Sequence, residues 1–304
     1  MRIVSLLPSA TEIVYSLGLG DDLVGVTYEC DHPPEARTKP VVSDTALALE
    51  PDMAAAEIDR QVSERVAAGE ALYVLDSVRI ADLEPDLILT QDLCRVCAVP
   101  SGQVEDALAK IGCTAEVVSL DPHSLDDILA GITEVGRRAG AAERATEVVD
   151  GLRTRIAAVE EAARGLPRVV TVTLEWLDPP FAGGHWVPEM VERAGGEHPL
   201  VAAGEPSRRV TWDEVGAAAP QVVVAMPCGY DLPAARAEAE AILPGLPAVA
   251  ESPAGKAGRV FAVDANGYYS RSGPRVVDGL EALAWALHPD QFPVPPETII
   301  APLP

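Results

Sequence analysis

The sequence predicts an α/β protein built from two similar three-layer lobes with mainly parallel sheets, joined by one long α-helix. Three observations carry this. Short runs rich in Val, Ile and Leu alternate with helical patterns along the whole chain. One helical stretch without a break stands between the halves. Glu84-Pro85-Asp86-Leu87-Ile88-Leu89 before that stretch is matched by Ala219-Pro220-Gln221-Val222-Val223-Val224 after it, each a helix end, a proline and a buried strand. The expected division is an N-terminal lobe over 1–140, a linking helix over 141–165 and a C-terminal lobe over 166–304.

Each element has a local reason. Strands are expected at Arg2–Leu7, Leu23–Thr27, Asp86–Thr90, Glu116–Leu120, Arg168–Leu174, Gln221–Met226 and Arg259–Val263, because continuous apolar runs of that length suit parallel strands covered on both faces. Helices are expected between them, as at Thr11–Leu17, Gln103–Ile111 and Leu125–Ala139. In the linking helix, Ala145, Val148, Val149, Leu152, Ile156, Val159 and Ala163 recur at steps of three and four. At ~1.5 Å per residue the stretch is roughly 35 Å long, and Gly165-Leu166-Pro167 ends it. The α/β alternation places ligands at loops beyond the carboxyl ends of strands.

Composition excludes several functions. A chain of 304 residues with 48% hydrophobic content can bury the cores of two lobes. The 23 basic residues against 47 acidic ones give a net charge of −24, which repels phosphate backbones and argues against nucleic-acid partners. No apolar run approaches the ~20 residues that span a bilayer, so no membrane insertion is expected. Met1-Arg2 runs straight into an apolar strand, which predicts a cytoplasmic location. Five cysteines at irregular spacing make a poor disulfide framework, in keeping with that expectation.

Five loops combine turn residues with unusual polar or aromatic content. Pro8-Ser9-Ala10-Thr11 follows the first strand, where Ser9 or Thr11 is expected to cap the next helix or to touch a ligand. Tyr28-Glu29-Cys30-Asp31-His32 follows the second. Gln91-Asp92-Leu93-Cys94-Arg95-Val96-Cys97 follows another, and its Cys-x-x-Cys reads as a redox pair, as half of a zinc site with Cys30 and His32, or as two inert thiols. The fourth runs from Glu175-Trp176 to Gly183-Gly184-His185-Trp186 and holds two of the four tryptophans. Its glycine pair permits close backbone approach, its tryptophans can wall a flat apolar ligand, and His185 is either a metal ligand or a hydrogen-bonded structural residue. The fifth, Asp264 to Pro274, offers Asn266, Tyr268, Tyr269, Ser270 and Arg271. Pro227-Cys228-Gly229-Tyr230 is a weaker sixth. The sequence contains no phosphate-binding glycine loop, no nucleophile elbow and no His-Glu-x-x-His, and its five histidines form no acid–base constellation, so no enzyme is expected.

At these loops the chain resembles the cobalamin-binding protein family of ABC importers. The resemblance rests on Leu6-Leu7-Pro8-Ser9-Ala10-Thr11-Glu12, Tyr28 to Pro34, Leu83-Glu84-Pro85-Asp86-Leu87-Ile88, Pro179-Pro180-Phe181, Ala194-Gly195-Gly196 and Ser270-Arg271-Ser272-Gly273-Pro274-Arg275. It covers nearly the whole chain and implies the helix-linked fold of class III periplasmic-binding proteins, shared with haem and siderophore binders. It also implies a cobalamin-type corrinoid held in the cleft between the lobes, for storage, salvage or hand-over. A corrin ring has apolar faces and an amide-fringed edge, which suits aromatic walls with a few polar groups.

The ligand contacts that follow are Pro8, Ser9, Ala10, Thr11, Tyr28, Glu29, Gln91, Asp92, Glu175, Trp176, His185, Trp186, Asn266, Tyr268, Tyr269 and Arg271. Cys30, Cys94, Cys97 and His185 are candidate cobalt or zinc ligands, since thiolate and imidazole both suit such ions. The chain is most similar to an unexported subgroup that shares the Cys94-x-x-Cys97 loop and the Glu175-Trp176 and His185-Trp186 pairs. The carboxylates that pair with permease arginines correspond to Asp213 in the C-terminal lobe and to a position near Val78 in the N-terminal lobe. Valine cannot pair with arginine, which argues against docking to an ABC permease. Two rivals remain: another metal chelate such as haem or a siderophore, and a zinc- or thiol-dependent corrinoid-modifying enzyme.

Overall fold

The structure, a computed structural model, describes residues 1–50, 53–93, 99–111 and 113–304. The chain divides into two compact units. The first comprises Met1–Pro122 and Asp127–Asp150, the second His123–Asp126 and Gly151–Pro304.

In the first unit, β1 (Ile3–Ser5), α1 (Pro8–Ser16), β2 (Leu23–Thr27), β3 (Val41–Thr45), α2 (Ala55–Ala68), β4 (Tyr73–Leu75), α3 (Ser77–Asp82), β5 (Leu87–Thr90), α4 (Ser101–Ile111), β6 (Glu116–Ser119) and α5 (Leu125–Arg138) follow in order. The sheet runs β4-β3-β2-β1-β5-β6. All pairings are parallel except β3 with β4. The central strands are those with continuous apolar runs: β1 and β5 are buried along their whole length. Val4, Leu6, Val42, Ile80, Ile88 and Val104 form one core cluster.

The first helix corrects one expectation. It begins at Pro8, with two residues between it and the end of β1, and its N-cap is Leu7 with no side-chain cap bond. Ser9 and Thr11 therefore lie within the first turns and cap nothing. Proline at the first helical position is already set to helical φ and lacks the N–H that would otherwise be left over, so a capping hydroxyl is not needed there.

The helix α6 (Ala142–Ala163) contains the division between units, which falls between Asp150 and Gly151. Its 22 residues span roughly 33 Å. Ala145, Val149, Leu152, Ile156, Val159 and Ala163 are buried as the periodicity predicts. Gly165, at φ 80°, takes the left-handed conformation that ends it.

The second unit contains β7 (Val169–Leu177), β8 (Pro180–Ala182), α7 (Val187–Arg193), β9 (Gly196–Glu197), β10 (Arg208–Arg209), α8 (Trp212–Ala217), β11 (Val222–Ala225), α9 (Leu232–Ile242), α10 (Pro247–Ala250), α11 (Pro253–Lys256), β12 (Val260–Val263), α12 (Ala265–Tyr268), α13 (Val276–Leu287) and β13 (Ile300–Pro302). Its main sheet runs β10-β8-β7-β11-β12-β13, and β9 pairs with β7. This sheet has a parallel centre and antiparallel edges. The β7, β11 and β12 centre is parallel, but β8 folds back antiparallel on β7, β10 pairs antiparallel with β8, and β13 pairs antiparallel with β12. Edge strands expose part of their surface, so these short segments carry too few apolar residues to show as core strands in sequence.

The internal repeat is real in the backbone. Glu84 and Ala219, each before a proline and a central strand, have φ of 42° and 46°. A following proline disfavours the right-handed helical conformation at both positions. Asp86 N–H then donates to Arg2 O, and Gln221 N–H to Val170 O, both at 2.8 Å.

Candidate functional site

In the first unit, the loops beyond the carboxyl ends of the strands separate into enclosed and open residues. Ser9, Ala10 and Thr11 are buried, because the first turns of α1 pack down on β1 and β2. Gln91 is buried as well. Pro8 and Glu29 are half-buried, and Tyr28 and Asp92 are exposed. The Tyr28 hydroxyl donates to Glu29 Oε1 at 3.2 Å. Partial burial, then the neighbouring Glu29 carboxylate, push the phenol above its ordinary range.

Asp92 organises a turn. Its carboxylate accepts from Ser101 N–H at 2.8 Å, while Asp121 accepts from the Asp92 and Leu93 amides. Burial pulls the Asp92 carboxyl up, but the Ser101 hydroxyl and amide outweigh it and hold it below the usual value.

The metal-ligand expectations fare unevenly. Cys30 is buried, with its Sγ 3.0 Å from Thr11 Oγ1. A thiol enclosed in this way packs as a small apolar residue. Cys94 and Cys97, with Arg95 between them, lie outside the described residues. Among the described residues no three His, Cys, Asp or Glu side chains gather as a metal site.

In the second unit, three loops meet at the carboxyl ends of β7, β11 and β12. Trp176 stands at the end of β7, half-buried, and Tyr230 from the loop after β11 packs edge-on against it with ring centroids 5.7 Å apart. The indole N–H donates to Asp178 O at 3.1 Å. Cys228 N–H donates to Glu175 O, and Asn266 N–H to Tyr230 O, both at 3.0 Å, which ties the three loops together. Asp264 caps α12 by accepting from Gly267 N–H at 2.8 Å. The Arg275 guanidinium lies 5.1 Å from the Tyr268 ring centre, a cation–π contact on a half-buried tyrosine.

Two of the expected wall residues are buried. Trp186 is buried and donates its indole N–H to Tyr269 O at 3.0 Å. Tyr269 is buried as well, with its hydroxyl donating to Gly279 O at 2.9 Å. The polar atom of each is thus satisfied by a backbone carbonyl of the same unit. Arg271 is also buried.

Next to Trp176 in β7 stands an unusual carboxyl, that of Glu175. Burial pushes Glu175 up to about 7, against partial compensation from the Ser207 hydroxyl and the Gly184 amide. Gly184 presses on the segment that carries Ser207: a Cβ there would stand 2.2 Å from Ser207 N. Nearby, His198 is buried with its Nε2 2.9 Å from Thr173 Oγ1 and its Nδ1 3.1 Å from Val201 O. Burial pulls His198 down to about 4, despite those backbone partners.

His185 is half-buried, with φ 55°, and its ring lies 6.1 Å from that of His123 and 6.0 Å from that of Trp186. Sequence reasoning missed His123, His198 and Ser207. The Asp121-Pro122-His123-Ser124 turn was the one available signal, and nothing local marked the other two.

A groove of about 580 Å³ in the first unit lies elsewhere, along β4 and α4, with Tyr73, Leu75, Gln103 and Asp106 in its wall. It follows an edge strand, not the loops after β1 and β2, and no expected site residue lines it. Val78 and Asp213, both exposed, hold matching places as second residues of α3 and α8.

With this geometry in hand, the comparisons with known proteins are decisive for the family. The model of the family described as periplasmic binding protein matches residues 3–266. The chain belongs to this family. It is a substrate-binding protein and not an enzyme. It is 27% identical over 297 residues to the uncharacterized ABC transporter substrate-binding lipoprotein YvrC of Bacillus subtilis, covering 96% of this chain and 81% of the relative. It is 30% identical over 236 residues to a vitamin B12-binding protein of Vibrio cholerae, covering 73% of this chain and 69% of the relative.

Among solved structures, the vitamin B12-binding protein BtuF of Vibrio cholerae matches with TM-score 0.69 at 22% identity, over 94% of this chain and 96% of that one. The periplasmic heme-binding protein RhuT from Roseiflexus matches with TM-score 0.69 at 23% identity, over 95% and 98%. These two establish the fold, a two-lobed α/β architecture shared by B12 and heme binders. No helix among the described residues is long and apolar enough to cross a membrane. Of these relatives, one is described as a lipoprotein and the two solved structures are named as periplasmic.

Proposed function

We propose that this binding protein takes a corrinoid of the cobalamin type, and that the open residues of the strand-end loops form its binding surface. In the second unit these are Trp176, Tyr230, Asn266, Tyr268 and His185; in the first they are Pro8, Tyr28, Glu29 and Asp92. The observation that carries the reading is the Trp176–Tyr230 pair at the ends of β7 and β11. It offers a half-open aromatic edge suited to the apolar face of a macrocycle, beside an amide side chain at Asn266 that suits the ring's carboxamide fringe. The Vibrio cholerae relative at 30% identity is named for vitamin B12, which supports a corrinoid over other chelates.

Haem is the second reading, favoured by the similarly scored heme-binding neighbour. His185 supplies an imidazole for an iron or a cobalt in either case. Docking to a permease through one carboxylate on each unit is not part of the proposal, because Val78 stands where the first carboxylate is required.

The test is a visible-spectrum titration of the full chain with cyanocobalamin, hydroxocobalamin and haemin. One equivalent of a cobalamin is expected to bind. Trp176→Ala is expected to weaken binding about tenfold, since an aromatic contact contributes on the order of 1 kcal/mol or more. Binding of haemin with no binding of either cobalamin would overturn the corrinoid reading in favour of the second.

A further inference from the structure

We propose that Asp178 and Asp231, at the rim of the Trp176–Tyr230 edge, select the ligand by charge, favouring a cationic macrocycle over a neutral one and disfavouring an anionic one. The inference rests on the corrinoid reading above and adds the charge class that this surface takes. The aromatic pair makes the contact surface, and the two carboxylates set its sign.

Each carboxylate is carried beside one of the two rings. Asp178 is the first residue after β7, in the turn that leads into β8. Its carbonyl accepts the Trp176 indole N–H at 3.1 Å, which anchors the ring to that turn. Asp231 directly follows Tyr230 in the loop from β11 to α9. It caps α9 by accepting from Ala234 N–H at 3.0 Å. Both residues are exposed. Among the described residues neither forms an ion pair, whereas Glu214 and Glu240 of the same unit are held by Arg208 and Arg236.

Neighbouring groups register this negative charge. Burial pushes the Glu238 carboxyl on α9 above its ordinary value, and Asp178 adds to the rise. Burial raises Asp264 as well. The Gly267 amide, Arg275 and Arg271 oppose it, and Asp231 adds to it. Arg271 is buried, and Arg275 is half-buried over the Tyr268 ring. Two exposed carboxylates thus stand against one half-buried guanidinium, and the surface beside the aromatic pair is negative.

Charge separates ligands that shape does not. Exchanging cyanide for water on the cobalt leaves the corrin and its carboxamides unchanged and adds one positive charge. Haemin carries anionic propionates where the corrin carries neutral carboxamides. A carboxylate rim attracts the first, accepts hydrogen bonds from carboxamide N–H groups and repels propionate. At a separation of about 8 Å, with an effective dielectric constant between about 40 and 80, one carboxylate changes the affinity for a singly charged ligand about two- to sixfold.

The experiment titrates full-length protein with cyanocobalamin, with haemin, and with aquacobalamin in slightly acid solution, where the cobalt-bound water keeps its proton. The variants are Asp178→Asn, Asp231→Asn and the double variant. Asparagine keeps the side-chain shape, and at 231 it keeps the helix cap, while the charge is lost. Glu251→Gln removes the same charge after α10, near the amino ends of β11 and β12, where Ala254 N–H donates to Pro220 O. The readout is the ratio of aquacobalamin to cyanocobalamin affinity, in which a general loss of packing or folding cancels. The ratio is expected to fall about two- to sixfold in each asparagine variant, to fall further in the double variant and to stay unchanged in Glu251→Gln, while haemin affinity rises in the double variant. Raising salt from about 0.01 M to about 1 M shortens the Debye length from about 30 Å to about 3 Å and should lower the wild-type ratio more than that of the double variant. If the wild type binds cobalamins but the ratio is unchanged in both asparagine variants, or falls equally in Glu251→Gln, the inference is overturned and the corrinoid reading stands. If the wild type binds neither cobalamin, both are overturned.

Discussion

Replacing Glu175 by Gln should change how the stability of the second unit depends on pH. In the folded unit the carboxyl ionises near 7, against an ordinary value of 4.5. Between those values the folded state holds a proton that the unfolded chain has released. Stability from this group is therefore complete below about 4.5 and declines as pH rises through about 7. At 1.36 kcal/mol per pH unit of difference, the gap of about 2.5 units corresponds to at most about 3 kcal/mol. His198 pulls the other way. Its folded value near 4 lies below its ordinary 6.5, so its contribution is complete above about 6.5 and is lost as pH falls toward about 4. The two slopes overlap and oppose, so the wild-type unit should be nearly level in stability between about pH 5 and pH 6.

Glu175→Gln removes one slope and leaves the other. The stability of this variant relative to wild type should rise by about 2–3 kcal/mol between about pH 5 and pH 8. The assay is urea unfolding followed by tryptophan fluorescence. It reports the second unit alone, because all four tryptophans, Trp176, Trp186, Trp212 and Trp285, lie there. A difference between variant and wild type that stays constant with pH, or falls as pH rises, would refute the assignment of Glu175 as a buried, proton-holding carboxyl.

Three further outcomes are expected. His198→Gln removes the opposing slope, so its stability relative to wild type should rise by about 2–3 kcal/mol as pH falls from about 6.5 to about 4, in the same urea assay. Gly184→Ala places a Cβ 2.2 Å from Ser207 N, 2.5 Å from Pro206 C and 2.7 Å from Glu205 O, all backbone that must move; it should cost more than about 2 kcal/mol in the same urea assay. Gly25→Ala in β2 meets only side-chain ends, Leu83 Cδ1 at 2.9 Å and Val42 Cγ1 at 3.1 Å. That overpacking should cost about 1–3 kcal/mol in the first unit, read by hydrogen exchange of β1 and β2, and leave the tryptophan transition unmoved.

Much of the site was visible as a set of loops but not as a set of surfaces. Trp176 and Trp186 are ten residues apart in one loop, and composition treats them alike. Trp176 is half-buried beside Tyr230, whereas Trp186 is buried and bonds to Tyr269 O, a difference no single periodicity encodes because the chain between them reverses through the short strand β8 and a loop. The first turn of α1 shows the same limit. Ser9 and Thr11 have the composition of a cap, but Pro8 opens the helix and carries both hydroxyls into the core. His123 and His185 are separated by 62 positions (185 − 123), and only the folded unit brings their rings together.

What the amino-acid order determined by itself is the alternation of elements, the repeated helix–proline–strand unit, the central strands of both sheets and the buried face of α6. All of these depend on local hydrophobic pattern, and that pattern is strongest where a strand is covered on both faces. The tertiary structure alone decided the antiparallel edges formed by β4, β8, β10 and β13, the inward or outward turn of each loop residue, and the protonation of Glu175 and His198. Those depend on burial and on partners distant in sequence, which a chain acquires only on folding.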